Sequence, residues 1–191
     1  TVAVKEWWTA NPMDYGADVL ESDERARAFF EDVDERFYRM NHPLHTDEGK
    51  FDRLFPYDRY EDLPVLEVGC GIGTDTVSFA REGARVTALD LSPTSVNIAR
   101  QRADVYGLND RIQFVVGDAE ELTELTPLDK YDLIYSFGVI HHSPHPERVV
   151  AQMRELIGPD GEVRLMVYHR LSWKVLWILL TYGKGRFWRL S

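Results

Sequence analysis

Apolar residues recur in two different patterns along the chain. Between Ser22 and Met40 they return every three or four positions, and Phe29, Val33 and Phe37 form the stripe. This spacing predicts an amphipathic helix that packs one face against a core. From residue 64 onward, short apolar runs alternate with longer segments of helical periodicity. Such alternation predicts strands that are buried on both faces, with a helix between each pair.

Five strands are predicted in this part of the chain, at 64–68, 86–89, 112–116, 131–135 and 163–167. The helices between them are predicted at 74–82, 93–106, 119–125 and 146–157. Consecutive parallel strands that are joined by helices require right-handed crossovers. The predicted fold class is therefore α/β, a Rossmann-like open parallel sheet with helices on both faces.

The chain divides into three predicted regions. Residues 61–170 form the α/β core, and residues 1–60 form a helical and aromatic cover that includes Trp7 and Trp8. The cover either seals one edge of the core or acts as a lid over a substrate pocket. Residues 171–191 are predicted to form a hydrophobic helix that packs over the sheet or across a dimer contact. A less favoured alternative places that helix at a membrane surface or against a lipid-like substrate.

Charge and cysteine content narrow the function classes. The chain has 32 acidic and 22 basic residues and a net charge of -10, which argues against nucleic acid as a partner. A neutral or cationic small-molecule substrate fits this balance better. Cys70 is the single cysteine, so a reducing compartment is predicted. The sequence shows no basic leader and no apolar run of ~20 residues, which predicts a cytoplasmic protein and leaves its oligomeric state open.

The segment 64–75 carries the clearest chemical signal. A short apolar strand ends in three glycines with the spacing G-x-G-x-G from Gly69, and Glu67 lies two positions before the first glycine. Glycine allows the backbone to bend tightly and a ligand to approach it closely. A dinucleotide-binding turn would have its third glycine where this chain has Thr74. Because the carboxylate of Glu67 would repel a phosphate, the turn favours a ligand with an ammonium or sulfonium group.

Other polar residues follow the neighbouring strands at the point where each strand ends. Asp90 ends the second strand, Asp118 follows the third, and the loop 136–142 follows the fourth. In an open parallel sheet, ligands bind in the crevice outside the carboxyl ends of the strands. We therefore expect these residues and the glycine turn to line one crevice.

With these motifs, residues 64–168 resemble the class I S-adenosylmethionine-dependent methyltransferases of the small-molecule type. The resemblance implies S-adenosylmethionine as the cofactor. The residues that it implies at the methionine end of the cofactor are Glu67, Gly69, Cys70 and Gly71. Asp90, with Leu91 beside it, would hold the ribose hydroxyls, because a carboxylate accepts two hydrogen bonds at once.

The same resemblance assigns roles to the later motifs. Asp118 would accept a hydrogen bond from the adenine amino group, and the amide of Ala119 would face the adenine ring. Phe137 would border the cofactor, and His141 and His142 would approach the active centre. The adenine end and the reacting end of the cofactor are thus expected in different loops.

The implied reaction is the transfer of a methyl group to oxygen, nitrogen or carbon of a small-molecule acceptor by in-line displacement. Where the acceptor loses a proton, a base within hydrogen-bond reach would help. The candidates, which follow the fourth and fifth strands, are His141, His142, Tyr168 and His169. Each of them could instead only shape the pocket. No metal is expected, because Ser143 and Pro144 interrupt the histidine cluster.

Two further interpretations stay open. A catalytically silent subunit that binds S-adenosylmethionine and acts through a partner would need the same motifs. A dinucleotide-dependent oxidoreductase fits the glycine spacing less well. The resemblance also has a gap: the family's sheet ends with two more strands, the last antiparallel, but only 22 residues follow His169. The chain is therefore predicted to be a truncated form of a longer protein.

Overall fold

The computed structural model describes residues 6–8, 10, 23–40, 56–127 and 130–168. Its strands are β1 (Pro64–Val68), β2 (Arg85–Asp90), β3 (Ile112–Val116), β4 (Tyr131–Phe137) and β5 (Ile157–Met166). Its helices are α1 (Asp23–Met40), α2 (Thr74–Arg81), α3 (Pro93–Tyr106), α4 (Leu122–Leu125) and α5 (Pro146–Leu156). Short 3-10 turns lie at Tyr57–Tyr60, Asn109–Arg111, Ala119–Glu121 and Ile140–His142.

The five strands form one sheet in the order β3-β2-β1-β4-β5, and all four strand pairs are parallel. The predicted α/β fold with an open parallel sheet is confirmed. At the centre, Glu67 of β1 is paired with Ala88 on one side and with Tyr135 on the other. The strand order reverses between β1 and β4, which is where such sheets bind their ligands.

Residues at both ends of helix α3 explain where it begins and where it ends. The side chain of Ser92 accepts a hydrogen bond from the amide of Ser95 at 3.3 Å, and Pro93 occupies the first helical position. Both features are typical of helix N-termini. After Tyr106, Gly107 adopts a left-handed conformation and ends the helix.

The two faces of the sheet pack against different helices. Along β1, Val65 lies in a core cluster with Phe79 of α2, whereas Leu66 lies in a second cluster with Val149 of α5. Val65, Leu66 and Phe79 are fully buried. Covering both faces explains why the strands are continuous apolar runs.

Two predicted strand boundaries are wrong. Strand β4 ends at Phe137 instead of residue 135, and β5 begins at Ile157 instead of residue 163. The segment 158–161 has the composition of a turn and forms an irregularity in the pairing with β4: Ile157 pairs with Tyr131 and Glu162 with Leu133, and the residues between them are skipped. A Cβ atom at Gly161 would lie 2.7 Å from the carbonyl oxygen of Tyr131, so close strand contact explains this glycine.

The buried face of helix α1 also differs from the predicted stripe. In α1 the buried residues are Ala26, Phe30 and Val33, whereas Phe29 is half-buried. Periodicity alone leaves the orientation of a helix uncertain by about one residue, and packing against neighbouring elements fixes it.

Several predictions lie outside the described residues. They are most of the cover, the hydrophobic segment 171–191 and the candidate base His169. Within the described ranges, none of the helices has both the length and the apolar character that crossing a bilayer requires.

Candidate functional site

A cavity of about 450 Å³ opens at the carboxyl ends of the central strands, where the strand order reverses. The predicted cofactor residues that line it are Glu67, Gly69, Cys70, Gly71, Asp90, Leu91, Asp118, Ala119 and Phe137. The structure therefore brings together in one cavity every residue of that predicted set. The cavity has one polar, glycine-rich wall and one aromatic wall.

The glycine turn forms part of the polar wall. Gly69 has a φ of +85°, and a Cβ atom there would lie 2.3 Å from Cγ2 of Val139. The turn is thus packed directly against the loop after β4. Gly71 has a φ of +53°, but a Cβ atom there would meet no atom within 4 Å. Since Gly71 lines the cavity, its missing side chain leaves room for a ligand at the backbone.

Asp90 connects the glycine turn to the end of β2. One carboxylate oxygen accepts a hydrogen bond from the amide of Gly71 at 2.8 Å, and the other accepts one from the amide of Ser92 at 2.8 Å. Burial raises the pKa of Asp90, although these amides oppose the shift. Because a carboxylate has about four acceptor positions, Asp90 can still accept hydrogen bonds from a ligand.

Two more carboxyl groups lie deep in the same wall. Glu67 is 4% exposed and accepts a hydrogen bond from the hydroxyl of Thr76. Asp75 is 5% exposed and accepts hydrogen bonds from Tyr57 at 2.9 Å and Tyr135 at 2.6 Å. All these donors are neutral hydroxyl groups. In the described part of the chain, neither carboxylate forms an ion pair with a cationic side chain.

Burial raises the pKa of Glu67, and the negative charge of Asp75 raises it further. Burial also raises the pKa of Asp75, against the two tyrosine hydroxyls that lower it. An ionised carboxylate in this wall is therefore costly when no positive charge lies beside it. A positively charged ligand would offset that cost.

At the other end of the cavity, Asp118 caps the short turn after β3. Its side chain accepts a hydrogen bond from the amide of Glu120 at 3.0 Å. Glu120 in turn accepts hydrogen bonds from the hydroxyl of Ser143 at 2.5 Å and from the amide of His145 at 3.1 Å. The Ser143 hydroxyl is the main cause of a lowered pKa at Glu120. These contacts fix the loop after β3 against the loop after β4.

The opposite wall is aromatic and comes from distant segments. Phe37 of α1 packs edge-on against Phe137 of β4, with 6.1 Å between the ring centroids. Trp8 packs edge-on against His142, with 5.5 Å between their centroids. Met166 and Tyr168 complete this wall. The cavity can thus hold an apolar group opposite the acidic wall.

The candidate bases separate into three groups. His142 and Tyr168 line the cavity, whereas His141 is absent from its lining and lies behind them. The His141 ring is 4.1 Å from that of His142 and 4.7 Å from that of Tyr168, between centroids. Among the described residues, neither ring nitrogen of His141 has a hydrogen-bond partner. Burial lowers the pKa of His141. The remaining candidate, His169, is not described.

Residues 65–161 match the family model that describes the methyltransferase domain. The chain belongs to this family. The predicted membership of the class I S-adenosylmethionine-dependent methyltransferases is confirmed. A curated relative, the ubiquinone biosynthesis O-methyltransferase of Photobacterium profundum, is 35% identical over 106 residues, which are 56% of this chain and 44% of the relative. The chain thus spans less than half the length of that relative.

Solved structures agree with this assignment. An arsenic(III) S-adenosylmethionine methyltransferase from Chlamydomonas reinhardtii gives a TM-score of 0.54 at 28% identity, over 69% of this chain and 50% of that one. The cyclase SpnF gives a TM-score of 0.53 at 26% identity, over 60% of this chain and 44% of that one. The methyltransferase domain therefore shares its fold with proteins whose names denote different chemistry.

In this methyltransferase domain, the sequence prediction missed Asp75, Met166 and the contacts of Glu120. Asp75 directly follows the glycine turn, so its position near the ligand was open to inference. Its partners Tyr57 and Tyr135 are 18 and 60 residues away, and no local pattern connects them.

Proposed function

We propose that this chain binds S-adenosylmethionine and transfers its methyl group to oxygen, nitrogen or carbon of a small-molecule acceptor. The observation that carries the proposal is the acidic wall: Glu67, Asp75 and Asp90 line one cavity, and among the described residues none of them forms an ion pair with a cationic side chain, although the charge of Arg102 lowers the pKa of Glu67 and Asp75 somewhat. A ligand with positive charge complements such a wall. S-adenosylmethionine supplies a sulfonium, an ammonium and a reactive methyl group.

The shape of the polar wall supports the same cofactor. Open space beside Gly71 accommodates a ligand in contact with the turn, and the unused acceptor positions of Asp90 suit a pair of ribose hydroxyls. We assign the adenine to the loop of Asp118 and Ala119, at the far end of the cavity. The methionine part would then face Glu67 and Gly69.

For the reaction, the residues of the chain have to align the acceptor and exclude water. A lone pair of the acceptor forms the new bond to the methyl carbon, while the electrons of the carbon–sulfur bond remain on sulfur. A hydroxyl acceptor also loses a proton. His142 lines the cavity and is our first candidate to receive it; Tyr168 is the second.

His141 would act through its neighbours, because its ring lies behind those of His142 and Tyr168. Its lowered pKa keeps the ring neutral near pH 7. We therefore assign His141 to positioning of the His142 ring. His169 remains a candidate base from its place in the sequence alone.

The aromatic wall favours an acceptor with an apolar body. Trp8, Phe37 and Phe137 offer ring faces and edges, which suit an aromatic or isoprenoid-like molecule. The name of the relative from Photobacterium profundum is consistent with methyl transfer to oxygen of such a molecule. We therefore expect a phenolic hydroxyl to be the first acceptor group to test.

The test is calorimetric titration with S-adenosylhomocysteine, followed by transfer of labelled methyl to a panel of phenols, quinols and amines. Glu67→Arg should abolish binding, because it places a cation where the ligand cation would lie. Glu155→Arg, an exposed site on α5, is the matched charge control and should bind normally. Wild-type protein that fails to bind S-adenosylhomocysteine would refute the proposal.

A second candidate function is a cofactor-binding protein without methyl transfer. It is favoured by the structural likeness to the cyclase SpnF, whose name denotes another reaction. Tight binding of S-adenosylhomocysteine without transfer to any acceptor in the panel would support this alternative. Labelled product would exclude it.

A further inference from the structure

Arg102 is the one cationic residue among the described residues that are fully buried, with 0% exposure. It lies on α3, outside the lining of the cavity. Removal of a guanidinium from water is costly unless its N–H groups find partners. The role of Arg102 must therefore be sought in the groups that it contacts.

The guanidinium bridges two elements that face the cavity. Its Nη1 donates a hydrogen bond to the hydroxyl of Thr74 at 3.0 Å, and its Nη2 forms an ion pair with the carboxylate of Asp34. The carbon of the guanidinium also lies 5.1 Å from the ring centre of Phe30. Asp34 and Phe30 belong to α1, whereas Thr74 begins α2 directly after the glycine turn.

Both bridged elements contribute to the cavity. Thr74 lines the polar wall, and Phe37, three residues after Asp34, lines the aromatic wall. The planar guanidinium can hold both partners at once because its donors point in fixed, different directions. A change in the position of either helix would therefore alter the position of the other.

We propose that Arg102 is a positioning residue that couples the docking of helix α1 to ligand binding at the glycine turn. Ligand bound at the turn then stabilises the docked position of α1, and docked α1 strengthens ligand binding by the same factor, since such coupling is reciprocal. The identity of the probe ligand rests on the proposed function.

The first experiment uses trypsin, with and without saturating S-adenosylhomocysteine. Helix α1 has exposed arginines, and cleavage after Arg25 and Arg27 reports its release from the core. In the wild type, the ligand should slow this cleavage about tenfold. Asp34→Asn should be cleaved faster without ligand, bind the ligand about tenfold more weakly, and lose the protection.

Asp32→Asn is the matched control. Asp32 lies on the same helix, two residues away, and its ion pair with Arg36 is half-exposed on both sides. Such a pair contributes little to stability. Cleavage after Arg25 and Arg27, ligand affinity and ligand protection should all match the wild type.

The second experiment separates coupling from stability and does not depend on breaking the ion pair. Thr74→Val removes the hydroxyl that Arg102 contacts, and Thr74→Ser keeps it at the same place in the cavity wall. At concentrations of S-adenosylhomocysteine that calorimetry shows to saturate the variant, we expect Thr74→Val to lose ligand protection of α1, while cleavage without ligand stays unchanged. Thr74→Ser should restore the protection.

The outcomes are distinguishable. If the wild type does not bind S-adenosylhomocysteine, both the proposed function and the coupling are refuted. If the wild type binds S-adenosylhomocysteine but α1 is cleaved at the same rate with and without the ligand, only the coupling is refuted. The coupling is also overturned if Asp34→Asn lowers the melting temperature yet binds the ligand as tightly as the wild type, because Arg102 is then a structural residue only.

Discussion

The glycine turn and the aromatic wall line one cavity, but they are held in place in different ways. The amides of Gly69 and Cys70 both donate hydrogen bonds to the carbonyl oxygen of Leu89, at 2.7 and 2.9 Å, and Asp90 holds Gly71. The aromatic wall is held by ring contacts such as that between Phe37 and Phe137.

This difference has a physical consequence. Hydrogen bonds to the backbone fix the turn to within a few tenths of an ångström, because they depend steeply on distance and angle. Ring packing is less directional and tolerates rearrangement. We therefore expect cofactor binding to be sensitive to small changes in the turn and acceptor binding to be set by the aromatic wall.

The largest effect is expected at Gly69. Gly69→Ala would force a Cβ atom to within 2.3 Å of Val139 at a φ of +85°. We expect a loss of about 2–5 kcal/mol in the free energy of unfolding, and no detectable binding of S-adenosylhomocysteine. Urea denaturation measures the first and calorimetry the second.

Gly107→Ala is the control for that prediction. Gly107 also has a positive φ, +66°, but a Cβ atom there meets nothing within 4 Å. The Gly107→Ala variant should lose about 1 kcal/mol in the free energy of unfolding, from backbone strain alone. Equal losses at the two glycines would contradict the role of close packing at the turn.

A smaller effect is expected at Asp90. Asp90→Asn keeps the size of the side chain but replaces one acceptor with an amino group that faces an amide donor. Affinity for S-adenosylhomocysteine should fall about 10- to 100-fold, or about 1.4–2.7 kcal/mol. Asp110→Asn, at an exposed site before β3, should bind as the wild type does. A loss below threefold would show that Asp90 does not organise the turn.

Phe37→Ala tests the opposite wall. It removes a ring from the aromatic wall and leaves the hydrogen bonds of the turn in place, so affinity for S-adenosylhomocysteine should fall by less than the about tenfold loss expected of Asp34→Asn. The rate of labelled methyl transfer to an apolar acceptor should fall by a larger factor than the affinity for S-adenosylhomocysteine. Phe29→Ala, on the same helix but outside the cavity lining, is the control. A loss of cofactor affinity as large as that of Asp90→Asn would contradict the separation of the two walls.

The smallest effect is a dependence of stability on pH. Burial raises the pKa values of Glu67, Asp75 and Asp90 in the folded protein. The stabilisation of the folded protein that comes from these raised pKa values is fully present below the pKa values of the unfolded chain. It is lost as pH rises through the pKa values of the folded protein. As pH rises above about 4, the ordinary pKa of a carboxyl group, the melting temperature without ligand should therefore decrease.

The Glu67→Gln variant sharpens that test. It cannot ionise at residue 67, so its melting temperature should decrease less over the same pH range. The stabilisation by S-adenosylmethionine should increase with pH in the wild type, because the ligand cations then face ionised carboxylates. A pH dependence that is identical in wild type and variant would contradict a buried, titrating Glu67.

Local signals determined most of the fold and the polar wall. The alternation of apolar runs and helices, the cap at Ser92 and the G-x-G-x-G turn involve residues within a few positions of one another. Their physical basis is backbone geometry and hydrogen bonding between near neighbours. For that reason the sequence alone located the glycine turn, Asp90 and Asp118 in one crevice.

The tertiary structure decided which side chains complete the cavity. The sequence did not reveal that Tyr57 and Tyr135 hold Asp75, that Arg102 joins Asp34 to Thr74, or that His141 lies behind His142. These contacts join residues far apart in the chain, and burial depends on how whole elements pack against one another. The sequence by itself therefore determined the sheet and its glycine turn, whereas packing decided the aromatic wall and the partners of the buried charges.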